Sequence, residues 1–103
     1  MSDRLNATRE YVRQKPTDRF GLYALAMELR KARACEECFA AFDSLLAHHP
    51  AYGAGHYHYG MARRESGDRD GAKAQWLRGL EVTRGKDTKT HAEIQGALDE
   101  LEF

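Results

Sequence analysis

With 103 residues, 42% of them apolar and 31% charged, the chain fits one folded domain, neither a disordered tail nor a membrane protein. Sixteen Lys and Arg balance sixteen Asp and Glu, so the net charge is 0, without the positive excess that nucleic-acid or anionic-membrane binding needs. No apolar run reaches the length of about 18 residues that a membrane span requires, and the polar opening Met1-Ser2-Asp3-Arg4-Leu5 lacks the apolar core of a signal peptide. A cytoplasmic location is therefore expected, with Cys35 and Cys38 as reduced thiols.

The first expected element is a helix over residues 3–14, capped by Ser2, with Leu5, Tyr11 and Val12 on its apolar side. Next, Leu22, Leu25, Ala26 and Leu29 follow the three-and-four spacing of one helical face, and Asp18 stands where an N-cap belongs. Cys38, Phe39, Phe42, Leu45 and Leu46 form a third stripe, ending at His48-His49-Pro50. A fourth helix carries Tyr57 to Met61 and stops at Ser66-Gly67-Asp68. There Gly67 suits a left-handed C′ position and Asp68 the next N-cap. Ala72, Trp76, Leu77 and Leu80 line a fifth helix, which ends near Arg84-Gly85. Thr88 to Leu101, with Ala92, Ile94, Leu98 and Leu101, makes the sixth. Val, Ile and Thr are too few and too scattered to build a sheet.

The chain also matches itself when shifted by 34 residues. Pro16 then falls on Pro50, Tyr23 on Tyr57, Leu25 on Tyr59, Ala26 on Gly60, Met27 on Met61 and Arg30 on Arg64. Further along, Glu36 falls on Asp70, Cys38 on Ala72, Phe42 on Trp76 and Leu46 on Leu80. Large residues meet large ones and small meet small.

These repeats resemble the tetratricopeptide repeat family, whose motif is Trp-x2-Leu-Gly-x2-Tyr on a first helix, Ala-x3-Phe on a second, and a closing Pro. Here Leu22-x2-Leu25-Ala26-x2-Leu29, Cys38-x3-Phe42 and Pro50 form one copy, and His56-x2-Tyr59-Gly60-x2-Arg63 with Ala72-x3-Trp76 form another. His56 and Arg63 replace large apolar residues, and Arg84 replaces the second closing Pro. The resemblance implies an all-α fold, a right-handed α-solenoid of antiparallel helix pairs with about six helices. It divides a single domain over residues 1–103 into the helix of a truncated repeat at 3–14, repeats at 19–52 and 53–86, and a capping helix at 88–102. Ala26, Gly60, Cys38 and Ala72 would let helix backbones approach closely, and Phe42 and Trp76 would fill the space between repeats.

The same resemblance implies a protein–protein interaction module that is not an enzyme and needs no cofactor. Its concave side would be lined by the first helix of each pair. Phe20, Tyr23, Met27 and Arg30 lie off the core stripe of one first helix, and Tyr57, His58, Met61 and Arg64 off the other. The register places residues 34 apart side by side on one face. Aromatic and Met side chains suit an apolar anchor, and Arg30 and Arg64 suit a carboxylate, so the expected partner is a protein or peptide segment carrying both. In one subclass of the family Lys, Asn and Arg clamp a C-terminal carboxylate at these positions; Tyr23, Met27, Tyr57 and Met61 stand there instead. Two alternatives remain open. Tyr23 and Tyr57 could pack only against a neighbouring helix, and the same surface or an end helix could join copies in a homo-oligomer.

Other constellations are weaker. Cys35-Glu36-Glu37-Cys38 is a C-x-x-C at a helix start, but no strand precedes it, two glutamates disfavour a thiolate, and no second pair completes a zinc site. Cys38 is expected to be buried in the family's alanine position, with Cys35 half-buried. His56 and His58 diverge around their helix, as do His48 and His49, so neither pair shares a metal. His56 is expected to pack between helices and His48 to cap carbonyls. Neither a nucleophile motif nor a phosphate-binding loop is present. Arg63, Arg64, Arg69, Lys73 and Arg78 are interrupted by Glu65, Asp68 and Asp70, which fits a solvated face.

Overall fold

The computed structural model describes residues 3–101. Among them are six helices and no strand: α1 (Asp3–Gln14), α2 (Arg19–Lys31), α3 (Cys35–His48), α4 (Gly53–Glu65), α5 (Arg69–Thr83) and α6 (Thr88–Leu101). The expected Ser2 cap and the end of the last helix at Glu102 lie outside the described residues. The helices pack as two compact units, one ending at Pro50 and the other starting at Ala51.

In the first unit, α2 pairs with α3 and α1 lies along α2. Asp18 caps α2 by accepting from the Gly21 N–H at 2.8 Å. Leu22, Ala26 and Leu29 from α2 and Cys38, Ala41, Phe42 and Leu45 from α3 are buried, while Leu25 and Leu46 are half-buried. The Cys38 thiol donates to the Ala26 carbonyl at 3.5 Å, as two small residues at a close helix crossing allow. Cys35, expected to be half-buried, is exposed because the first turn of α3 begins beyond the packed stripe. Leu5 is the buried residue of α1; Val12 is only half-buried. The Tyr11 ring lies across Gly21, where a Cβ would come within 2.6 Å of it. Arg9 grips Glu37 of α3 through Nη2 at 2.8 and 3.0 Å.

The turn after α2 explains how the first pair closes. Arg33 adopts a left-handed φ of 58°, and the Arg33 and Ala34 N–H groups return to the carbonyls of Arg30 and Leu29. At the equivalent turn after α4, Gly67 has a φ of 89°, and the Gly67 and Asp68 N–H groups return to the carbonyls of Arg64 and Arg63. The two turns share one hydrogen-bonding pattern, but only the second uses the residue that takes this conformation without strain.

The second unit packs α4, α5 and α6 on one another. Ala72 and Trp76 from α5 meet Ile94, Ala97, Leu98 and Leu101 from α6 in a buried cluster. Trp76 lies flush on Gly60, where any Cβ would fall within 2.5 Å of the indole, and its Nε1 donates to the Tyr57 carbonyl at 3.0 Å. Leu77, expected in the α5 stripe, is 48% exposed. The buried stripe instead runs Ala72, Gln75, Trp76, Gly79 and Thr83, a regular helical spacing that turns Leu77 about 100° away from Trp76. Ala92 likewise faces solvent, and Ala97 takes its place in the core.

The departures from the family motif have physical partners here. His56 is buried and its Nδ1 lies 2.8 Å from Gln75 Nε2. The Arg63 guanidinium sits over the Tyr59 ring at 4.6 Å and donates to both the Tyr59 hydroxyl and Asp68 at 2.7 Å. Burial opposes the Arg63 charge, but Asp68 and Tyr59 outweigh it and raise its pKa. Without a closing Pro, the chain leaves α5 through an extended Arg84 and a left-handed Gly85.

Candidate protein-binding faces on the first helices

The candidate partner-binding side chains sit on α2 and α4, and each helix is set in place by its unit's core. On α2, Phe20 is 74% exposed, while Tyr23, Met27 and Arg30 are half-buried. Phe20 meets the Tyr11 ring edge-on at 6.3 Å, and the Lys15 ammonium lies 5.6 Å from the centre of that ring. The Tyr11 hydroxyl donates to Asp18 at 3.1 Å. That bond raises the phenol's pKa. Asp18 itself is held below its ordinary value, chiefly by the Gly21 N–H, which with Tyr11 outweighs the opposing effect of burial. Tyr11 therefore belongs to this surface. Sequence reasoning placed it only on the apolar side of α1; the signal was Gly21, a small residue in a helix where a ring must cross.

On α4, Tyr57, His58, Met61 and Arg64 are all half-buried. The Tyr57 and His58 rings stand edge to face at 4.9 Å. Tyr57 and Met61 pack against the cluster of Trp76 and α6 residues, and the Arg64 guanidinium lies 5.8 Å from the Trp76 ring. These three thus serve the interior of their own unit as well as its surface. On both helices the candidate residues run along one helix as aromatic and Met side chains with an Arg at the end.

The remaining candidate groups are scattered. Cys35 is at the surface and Cys38 in the core, with no disulfide between them. His48 Nδ1 is 2.9 Å from the Ser44 carbonyl, the capping role expected of it, and His49 Nε2 is 2.8 Å from the Thr17 carbonyl. Among the described residues no three His, Cys, Asp or Glu gather as metal ligands, and no helix is long and apolar enough to cross a membrane.

Solved structures show what this arrangement is similar to. The crystal structure of a tetratricopeptide repeat domain protein from Salinibacter ruber is 31% identical over 82% of this chain and 97% of its own, with a TM-score of 0.74. The chain belongs to the tetratricopeptide repeat family. A solution NMR structure of a tetratricopeptide repeat domain protein from Salinibacter ruber is 32% identical, covering 84% of this chain and 89% of its own, with a TM-score of 0.78. No family sequence model matches the chain, and no curated protein matches it. Membership makes this tetratricopeptide repeat chain, in general terms, a protein-interaction module. It also accounts for the helix pairs, the small residues at their crossings and the buried aromatic at Phe42 and Trp76.

Proposed function

We propose that the chain binds a protein or peptide segment, without catalysis, through the off-core stripes of α2 and α4. The contacts on α2 are Phe20, Tyr23, Met27 and Arg30; those on α4 are Tyr57, His58, Met61 and Arg64. One observation carries the reading: Tyr, Met and Arg recur 34 residues apart on helix faces that the cores leave partly exposed. Family membership supports the class of function. Phe20 is the strongest single contact, because an aromatic ring 74% exposed beside a second ring gives a partner large apolar area with little side-chain entropy to lose. The preferred ligand pairs an apolar anchor with an Asp or Glu. A short contact surface gives micromolar affinity or weaker on its own.

The experiment is a display selection of random peptides on the full chain, followed by titration of the selected peptides. Phe20→Ala and Tyr23→Ala should each weaken binding about tenfold or more, the loss typical of a buried aromatic contact. Leu77→Gln, at an exposed position of α5 that belongs to neither stripe, should leave it unchanged. Peptides that bind the Phe20 and Tyr23 variants as well as the parent would refute the proposal. If those variants instead lower the sedimenting mass of the free protein, the stripe joins two copies of the chain.

A further inference from the structure

Two charged residues stand where the repeat register elsewhere has small ones. Arg4 corresponds to Cys38 and Ala72, and Glu28 to Ala62. Cys38, Ala72 and Ala62 are buried. Arg4 and Glu28 instead meet at a cleft of about 430 Å³ between the start of α1 and the end of α2, lined by Arg4, Leu5, Glu28, Lys31 and Ala32. That volume falls in the range of small-molecule sites.

The Glu28 side chain is only 15% exposed, whereas those of Arg4 and Lys31 are 73% and 71% exposed. Arg4 Nη1 and Lys31 Nζ both stop 3.9 Å from Glu28 Oε2, beyond hydrogen-bond reach. Among the described residues none donates a hydrogen bond to this carboxylate, yet neither of its oxygens is fully buried. A carboxylate so enclosed gains most from a charged donor brought to it. A simple cation would supply that donor but would be repelled by Arg4 and Lys31. A simple anion would suit those two but would be repelled by Glu28. A ligand carrying both signs satisfies all three groups. The two cations approach the same carboxylate oxygen, so the ligand's opposite charges must also lie close together. The ammonium and carboxylate on the single α-carbon of an amino acid meet that condition. Leu5 and Ala32 give the cleft an apolar wall for its side chain.

We propose that this cleft binds a free α-amino acid with an apolar side chain, its ammonium donating to Glu28 and its carboxylate accepting from Arg4 and Lys31. A residue inside a peptide has lost both of those charges to peptide bonds and does not present them. The site is separate from the partner-binding stripes, since it uses none of Phe20, Tyr23, Met27 or Arg30. Because Arg4 and Lys31 are largely solvated, the dissociation constant should be on the order of 1 mM.

The test is an NMR titration of the isotope-labelled full chain with L-leucine up to about 10 mM, ten times that constant. The backbone amides of Leu5, Glu28 and Ala32 should shift together and approach saturation. Leucinamide keeps the ammonium and 4-methylpentanoate keeps the carboxylate. Each should bind at least about tenfold more weakly than leucine, having lost one set of charge-assisted hydrogen bonds. Glu28→Gln keeps the shape of the side chain without its charge and should weaken leucine binding about tenfold. The ligand series is run on the wild-type chain, so it decides the question even if the variant fails to fold. No shift at these amides with leucine, equal binding of leucinamide or of 4-methylpentanoate, or unchanged leucine binding in folded Glu28→Gln would each overturn the proposal.

Discussion

Arg33 and Gly67 occupy equivalent turns, and the comparison turns a conformational rule into a prediction. A side chain in the left-handed region is strained by about 1–2 kcal/mol, whereas Gly is not. Ala34, one residue on, is the N-cap of α3 and makes no side-chain bond, while its counterpart Asp68 accepts from the Gly71 N–H at 2.9 Å. Arg33→Gly and Ala34→Asp, each copied from the second repeat, should each raise stability by about 1 kcal/mol in urea titrations. No gain from either would mean that the first turn is relaxed by other means. At the core, Trp76→Ala should lose about 3–5 kcal/mol, and Gly60→Ala about 1–3 kcal/mol, because the new methyl overlaps the indole. Leu77→Gln should change stability by less than about 0.5 kcal/mol, although sequence periodicity had put Leu77 in the core stripe.

The end helices are tied down unequally. α6 contributes Ile94, Ala97, Leu98 and Leu101 to the cluster that encloses Trp76. α1 buries Leu5, half-buries Val12, lays Tyr11 over Gly21 and forms the Arg9–Glu37 and Arg4–Glu28 pairs. Exposed ion pairs add at most about 1 kcal/mol, so α1 should open before α6. Hydrogen exchange should find the α1 amides the first of the helical amides to be labelled and those of α6 among the more protected. Removing residues 88–103 should shift Trp76 emission to the red and lower the unfolding temperature. A truncated chain that unfolds like the parent would show that α6 is dispensable.

Across the molecule, three helices begin on an Asp whose carboxylate is held below the ordinary value near 3.8: Asp18 by the Gly21 N–H, Asp68 by the Gly71 N–H and then Arg63, and Asp87 by the side chain and backbone of Thr90. A depressed folded-state pKa means that the stabilisation is complete above the ordinary value and is lost as pH falls through the folded one. Acid unfolding of both units should therefore steepen below about pH 4, and Asp18→Asn should flatten the contribution of the first unit. An unchanged acid limb in Asp18→Asn would show that this carboxylate has the same pKa in the folded and unfolded states.

Much of this molecule was written in local pattern. The 34-residue register, the six helices, the Asp18 and Asp68 caps, the left-handed Gly67 and the burial of Phe42 and Trp76 all follow from spacing and side-chain size, because helix periodicity and capping act between neighbours in the chain. What depends on contacts between helices was not legible. Leu77 and Ala92 satisfy an apolar count, yet only the angle at which α5 and α6 meet decides that Gln75, Gly79 and Ala97 face inward instead. His56 and Arg63 looked like weakened motif positions until Gln75, Tyr59 and Asp68 were brought beside them. Tyr11 became part of the candidate binding surface only where its ring crosses Gly21. Sequence alone determined the repeats and the class of fold; tertiary structure decided which polar groups are paired inside it, since a buried hydrogen bond needs a partner that no linear spacing specifies.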